Sequence, residues 1–178
     1  MGQDTFQAGR TAAGLMGEMT GGTGQVAIIS GQVANPGLIS RQKGFSTEIK
    51  ESFPGTEIVD IRYSYDDEWV ASKIVEELLE LYPELTGIYI TGHGVKGVCQ
   101  TLQKLGKDKT MHVIANDFLE ENLKWLKEGT INFLIGQDAA VQGHSPVTIL
   151  FQLLFDSKAP KEGIEYTDIV IRTKYNMG

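Results

Sequence analysis

The sequence predicts an α/β fold, a three-layer doubly wound and mainly parallel sheet with helices on both faces. Three observations support this prediction. Short apolar runs alternate with segments of helical periodicity along the chain. Glycines, prolines and other turn residues separate these segments at regular spacing. The 178 residues, 41% of them hydrophobic, suffice for one compact domain of this kind.

Helices and strands alternate through the first half of the chain. Apolar residues recur at helical spacing over 5–19, where a run of glycines and threonines then ends the helix. The apolar run at 26–29 is typical of a strand buried on both faces. A helix over 38–52 and a β-branched, alternating strand over 57–63 come next. The clearest helix spans 66–82, where one apolar stripe lies opposite the carboxylates.

The second half continues this alternation. Its predicted elements are a strand over 85–91, a helix over 95–105, a strand over 111–115, a helix over 118–128, a strand over 131–135, a helix over 142–156 and a strand over 165–173. Gly106 and Gly129 end the first two of these helices. Because helices join consecutive strands, the strands are expected to lie parallel in one sheet.

Composition excludes several kinds of function. A net charge of -7 argues against direct contact with nucleic acid by this chain. The one cysteine, Cys99, permits no internal disulfide and fits a cytoplasmic origin. The sequence contains no signal peptide and no apolar run long enough to span a membrane. His93, His112 and His144 lack metal-ligand spacing, so neither a metal nor a cofactor is predicted.

Two segments of the chain repeat one pattern. Gly2-Gln3-Asp4 and Gly136-Gln137-Asp138 each precede a helix and are each followed by a glycine five residues after the aspartate. The pattern indicates either two helix caps or two places where the chain crosses between lobes. The helix over 142–156 is apolar on more than one face, which predicts a partner outside this domain and self-association as a homodimer.

Several motifs, in this order and spacing, resemble one protein family. They are Asp4-x-x-x-Ala8-Gly9-Arg10-x-Ala12-Ala13, Val26-Ala27-Ile28-Ile29-x-Gly31, Arg41-x-x-Gly44-Phe45, Pro83-x-Leu85-x-Gly87-Ile88-Tyr89, Gly97-Val98-Cys99, Val113-Ile114-x-x-Asp117, Gly129-Thr130-Ile131 and Ile135-x-Gln137-Asp138-x-x-x-Gln142-Gly143. This set resembles the C-terminal lobe of type I periplasmic sugar-binding proteins, such as ribose-binding protein, and of LacI-family effector domains. Gly97-Val98-Cys99 and the segment 166–176 are more similar to the LacI-type regulators.

The resemblance implies a domain organisation and a function. Residues 3–137 would be the C-terminal lobe, 138–160 a crossing and a helix that packs in an absent N-terminal lobe, and 161–178 a return strand and tail. The implied function is effector binding in a LacI-type transcription regulator, without enzymatic activity. A sugar or polyol would bind between the lobes, and lobe closure would alter DNA affinity in the full-length parent. This isolated chain is then expected to bind sugar weakly.

The candidate ligand-binding residues are Arg41, Asp117, Gln137, His93, Tyr65, Asp4 and Phe6. Several of them come just after predicted strands, and open parallel sheets bind ligands outside the carboxyl ends of their strands. Arginine, carboxylate and amide groups form paired hydrogen bonds with adjacent hydroxyls, and an aromatic ring packs on a sugar face. The alternatives are a surface role for Arg41, a helix cap at Asp117 and an exposed turn at His93. The family usually has Asn or Asp at the position of His93.

The sequence is compatible with two other functions. One is the solute-binding component of a sugar ABC transporter, which would be a periplasmic or extracellular protein. The other is an enzyme with a nucleotide cofactor, since Gly92-x-Gly94-x-x-Gly97 follows a strand and Asp117 lies near the distance expected for a ribose contact. Trp69, four residues after Tyr65, is expected to pack within its helix.

Overall fold

A computed structural model of the chain describes residues 1–159 and 165–177. Within these residues the chain forms six helices and eight strands. In chain order they are β1 (Gly2–Gln3), α1 (Thr5–Thr20), β2 (Thr23–Ser30), α2 (Pro36–Ser52), β3 (Gly55–Tyr63), α3 (Glu68–Leu81), β4 (Leu85–Ile90), α4 (Val95–Lys104), β5 (His112–Asn116), α5 (Glu120–Glu128), β6 (Phe133–Gln137), α6 (Ala139–Phe155), β7 (Tyr166–Thr167) and β8 (Ile169–Arg172).

Six strands form one sheet in the order β3-β2-β4-β5-β6-β8 over the described residues. The strands β2 to β6 pair in parallel, and β8 pairs with β6 in the antiparallel sense. Strands β1 and β7 form a separate parallel pair. The predicted α/β fold with a mainly parallel sheet is therefore confirmed.

Helices cover both faces of the sheet and form two apolar cores. On one face, α1 and α2 pack on side chains such as Val26, Ile28 and Ile114. On the other face, α3, α4 and α5 pack on side chains such as Ile29 and Val113. Alternate residues of each strand enter opposite cores, which explains why the central strands are continuous apolar runs.

The last predicted strand differs from the structure. The run over 165–173 forms two short strands, of which β7 pairs with β1 and β8 pairs with β6. Ile169 of β8 faces Gln137, the last residue of β6, so the chain enters the sheet at its carboxyl edge. Among the described residues before β8, no helix carries the chain back to the opposite edge, and this strand consequently runs antiparallel.

Helix α6 begins at Ala139 rather than at residue 142, because the carboxylate of Asp138 accepts a hydrogen bond from the Val141 amide at 2.9 Å and caps the helix. No residue of α6 is buried. Its exposed large apolar side chains are Val141, Val147, Leu150, Phe151, Leu153, Leu154 and Phe155. The helix thus presents apolar side chains to solvent, as expected for an element whose partner lies outside the described residues.

Close packing of α1 on α2 requires glycine at two positions. A Cβ atom on Gly9 would overlap the carbonyl oxygen of Arg41, and one on Gly44 would overlap that of Phe6. Both obstacles are backbone atoms of the facing helix, so no side-chain movement relieves the overlap. These glycines set the distance between α1 and α2.

We expect Gly9→Ala to lower the free energy of unfolding by about 1–3 kcal/mol, because the helices must separate. Gly14→Ala is the matched control on the same helix, since nothing lies within 4 Å of its added Cβ. It should raise stability by about 0.5–1 kcal/mol through better helix propensity. Urea unfolding of both variants tests this, and equal stabilities would contradict it.

Candidate ligand site

Arg41 lies on α2 beneath the carboxyl edge of the sheet. Arg41 is only 5% exposed, so the alternative that it is a surface arginine is wrong. One terminal nitrogen donates to the Thr91 carbonyl at 2.8 Å, and the other donates to Oε1 of Gln3 at 3.2 Å. A guanidinium carries more donors than these two bonds use, so the group can also serve a ligand.

Asp117 directly follows β5, and its carboxylate lies 3.8 Å from the Arg41 guanidinium. The residue has a φ of 69°, in the left-handed region that Asp adopts more readily than most residues. Its amide donates to the Ile135 carbonyl at 2.8 Å, which fixes this conformation. Asp117 does not cap the following helix, because the N-cap of α5 is Leu119. Its side chain stays partly exposed and available for hydrogen bonding.

Gln137 ends β6 and joins Asp117 to Gln142 at the start of α6. Its amide nitrogen donates to Oδ1 of Asp117 at 3.1 Å, and its oxygen accepts from Nε2 of Gln142 at 3.1 Å. The same Gln142 nitrogen donates to Oγ1 of Thr167 at 2.9 Å. Arg41, Asp117 and Gln137, predicted separately from the sequence, thus form one polar cluster, hereafter the Arg41 cluster.

Gln3, Gln142 and Thr167 complete this arrangement but were not among the predicted site residues. Gln3 is buried, and its side chain connects Arg41 to the Gly136 carbonyl, to which Nε2 donates at 2.9 Å. The repeated Gly-Gln-Asp pattern was a signal that pointed to both Gln3 and Gln137. Of these two glutamines, only Gln137 was predicted to bind ligand.

His93 and Asp117 line one small cavity of about 50 Å³, which lies between the ends of β4 and β5 and the first turns of α4 and α5. Asn116, also at its wall, is buried and donates from Nδ2 to the Tyr89 hydroxyl and to the Ile90 carbonyl, both at 3.0 Å. His93 itself is exposed. Its place in a turn and its place beside Asp117 are therefore both compatible with the structure, and ligand contact stays a prediction.

Tyr65, Asp4 and Phe6 lie at the same edge of the sheet but form no hydrogen bond with the Arg41 cluster. Tyr65 follows the edge strand β3, is 60% exposed and has a φ of 55°. Asp4 caps α1 by accepting from the Gln7 amide at 3.0 Å. Phe6, in the first turn of α1, is partly exposed. Trp69 is 69% exposed, and its contact within the helix is with the Lys73 ammonium, which lies 5.9 Å from the ring centroid.

The glycine pattern at 92–97 does not form an open phosphate cradle. The carboxylate of Glu68 accepts from the Gly97 amide at 2.6 Å, so an anion of the protein already occupies the N-terminus of α4. A pyrophosphate placed there would meet this negative charge. The geometry accordingly gives no support to a nucleotide cofactor at Gly92-x-Gly94-x-x-Gly97.

Burial controls the ionisation of two groups beneath the site. Desolvation raises the pKa of Tyr89 to about 12, while the hydrogen bond from Asn116 lowers it. The phenol is therefore neutral at physiological pH and acts as an acceptor for Asn116. Burial likewise raises the pKa of the Cys99 thiol well above its usual range.

The single cysteine offers a direct test of the core beneath the site. Because thiolate is the reactive form, we expect Cys99 in the folded chain to react with a disulfide reagent at pH 8 on the order of 100-fold more slowly than in the unfolded chain. Gln100→Cys in a Cys99→Ser background is the matched control, since position 100 is exposed. Equal labelling rates at the two positions would show that this core is open.

Within the described residues, no cluster of metal-ligating side chains is present. In the same part of the chain, no helix is both long and apolar enough to cross a membrane.

The chain matches one described protein family. Residues 1–158 match the family of the periplasmic binding protein domain. A search among curated proteins gives no significant match.

Solved structures of sugar-binding proteins superpose on nearly the whole chain. A sugar-binding protein of a sugar ABC transporter from Bacillus halodurans has a TM-score of 0.91 and 26% sequence identity, over 98% of this chain and 63% of that one. An ABC transporter solute-binding protein from Burkholderia graminis, solved with D-arabinose, has a TM-score of 0.88 and 31% identity, over 98% and 61%. A glucose-galactose binding protein from Geobacillus stearothermophilus, at 23% identity and a TM-score of 0.89 over 98% and 62%, shares the fold. This chain therefore spans less than two thirds of the length of these proteins.

Proposed function

The chain belongs to the family of the periplasmic binding protein domain, and on that premise we propose that it is part of a two-lobed protein that binds a sugar for uptake by an ABC transporter. The proposed function is binding without catalysis. The similar proteins from Bacillus halodurans and Burkholderia graminis support it, since both are components of ABC transporters. The ligand class is a monosaccharide or a related polyol.

The Arg41 cluster is the observation that carries this proposal. The buried guanidinium of Arg41 lies 3.8 Å from the partly exposed carboxylate of Asp117, which accepts a hydrogen bond from the Gln137 amide at 3.1 Å at the carboxyl edge of the sheet. Adjacent sugar hydroxyls both donate and accept hydrogen bonds, and these three groups supply donors and acceptors in one small area. Ligand-binding roles for Arg41, Asp117 and Gln137, and for the more peripheral His93, Tyr65, Asp4 and Phe6, are part of the proposal.

The domain organisation is proposed with it. Residues 3–137 form the C-terminal lobe, 138–160 contain the crossing and a helix that packs against the other lobe, and 161–178 return to this lobe. The exposed apolar side chains of α6 support this division, because they require a covering surface. The other lobe would supply the opposite wall of the sugar site.

A LacI-type transcription regulator is the second candidate. The segment Gly97-Val98-Cys99 and residues 166–176 resemble such regulators, whereas the similar solved structures favour the transporter component. The two candidates differ in location and partner, since a transporter component is exported and a regulator stays in the cytoplasm and binds DNA. The residues encoded upstream of Gln3 in the intact gene separate them. An export signal there supports the transporter component, and a helix-turn-helix supports the regulator.

Sugar binding is tested by titrating the 15N-labelled chain with D-arabinose, D-galactose and D-arabitol while recording amide spectra. At least one of these is expected to shift the signals of residues 41, 117 and 137, with a dissociation constant in the millimolar range because one wall of the site is missing. The absence of any shift at these residues with all three compounds would contradict the proposal. Micromolar binding would contradict the requirement for a second lobe.

A further inference from the structure

We propose that Gln3 is a positioning residue, which holds the Arg41 guanidinium in its ligand-facing orientation and joins it to the end of β6. This inference rests on the proposed function, since it assigns Gln3 a role at the same site. Gln3 itself lies beneath the guanidinium and is buried.

Both ends of the Gln3 side-chain amide are engaged. Its oxygen accepts from Arg41 at 3.2 Å, and its nitrogen donates to the Gly136 carbonyl at 2.9 Å. A glutamine in this position has no freedom to flip its amide, because the reversed orientation would place a donor against the guanidinium and an acceptor against a carbonyl. The direction of the amide is therefore fixed by its two partners.

Gln3 supplies a restraint that the other neighbours of Arg41 do not supply. Thr91 holds one terminal nitrogen of the guanidinium, and Gln3 holds the second. Asp117, at 3.8 Å, is close enough for charge attraction but beyond the length of a hydrogen bond. Two hydrogen bonds from separate nitrogens define the plane of a guanidinium, whereas one bond leaves it free to turn.

The position of Gln3 also connects Arg41 to β1, to β6 and, through β1, to β7. Gln3 belongs to β1 and is in register with Thr167 of β7. Thr167 accepts from Gln142 at the start of α6, while Gly136 lies in β6, which leads into α6. A change in the backbone of these segments would therefore move the partner of the Arg41 guanidinium. Sugar affinity and the geometry of the crossings are coupled through Gln3.

The test compares Gln3→Leu with Gln3→Glu in the 178-residue chain. Leucine removes both hydrogen bonds, whereas glutamate retains the oxygen that accepts from Arg41. The matched control is Gln103→Leu, because the Gln103 amide bonds to Glu128 and Thr130, and neither of these belongs to the proposed ligand site. The readout is the rate of rotation of the Arg41 guanidinium by 15N NMR, with its signal assigned as the one missing from Arg41→Met.

We expect Gln3→Leu to speed this rotation on the order of tenfold, the effect of losing a hydrogen bond to a charged group. Gln103→Leu should leave the rotation at its original rate, and Gln3→Glu should not speed it, because its charged oxygen still accepts from Arg41. The affinity for whichever compound of the sugar panel binds should fall about tenfold in Gln3→Leu alone. A purely structural role would instead lower thermal stability in both Gln3 variants without changing the rotation rate.

Unchanged guanidinium rotation in a folded Gln3→Leu chain would overturn this inference. So would equal acceleration in Gln3→Leu and Gln3→Glu, since the accepting oxygen would then be irrelevant. If the original chain binds none of the sugars, the proposed function fails, while the rotation measurement still decides whether Gln3 restrains Arg41. The two failures are thus distinguishable.

Discussion

The Arg41→Met variant is expected to lose sugar affinity by about 10- to 100-fold, the largest effect of any single substitution in the proposed site. The buried guanidinium would form charge-assisted hydrogen bonds with ligand hydroxyls, and methionine retains the length of the side chain without its donors. The measurement is the NMR titration with the sugar that binds the original chain. Arg41→Lys should also bind weakly, because an ammonium cannot hold Thr91, Gln3 and a ligand in one plane.

Arg62→Met is the matched control for this prediction. Arg62 lies in the edge strand and pairs with Asp60 at 2.7 Å and Glu77 at 3.2 Å on the surface. Its loss should leave sugar affinity unchanged and alter stability by less than about 1 kcal/mol. Loss of affinity in Arg62→Met equal to that in Arg41→Met would contradict a specific role for Arg41, as would undiminished binding by Arg41→Met.

One geometric property explains why both the fold class and the proximity of Arg41, Asp117 and Gln137 could be predicted from the sequence. Parallel strands place their carboxyl ends at one edge, so residues that follow different strands meet there however far apart they are in the chain. The apolar runs of the central strands fixed that arrangement. That Arg41, Asp117 and Gln137 bind a ligand stays a prediction, since the geometry brings their side chains together without showing what they bind.

Other features depend on tertiary contacts that no local pattern encodes. The partners of Gln3 and Gln142 are set by the packing of α2 and by the pairing of β1 with β7, which joins residues at opposite ends of the chain. The apolar character of Trp69 suggested a packed side chain, yet its position on α3 faces solvent. The pairing of β8 with β6 likewise depends on where the chain re-enters the sheet.

Helix α6 carries the second large prediction, that the isolated chain self-associates through its exposed apolar side chains. Leu150 and Leu154 are 54% and 66% exposed and lie four residues apart, on one face of the helix. Burying each such side chain contributes about 1.5–3 kcal/mol, so the double substitution Leu150→Lys with Leu154→Lys should weaken association at least about 100-fold. Sedimentation velocity across a range of concentrations measures this change.

Gln152→Lys on the same helix is the matched control, because it adds a charge to an exposed position without removing an apolar side chain. It should associate like the original chain apart from a small effect of charge. A monomeric original chain at high concentration would contradict the prediction. Equal weakening by Gln152→Lys would indicate that charge, rather than the apolar face, controls association.

If α6 instead packs on a second lobe in the intact protein, adding that lobe should abolish self-association, since one apolar face cannot serve both partners at once.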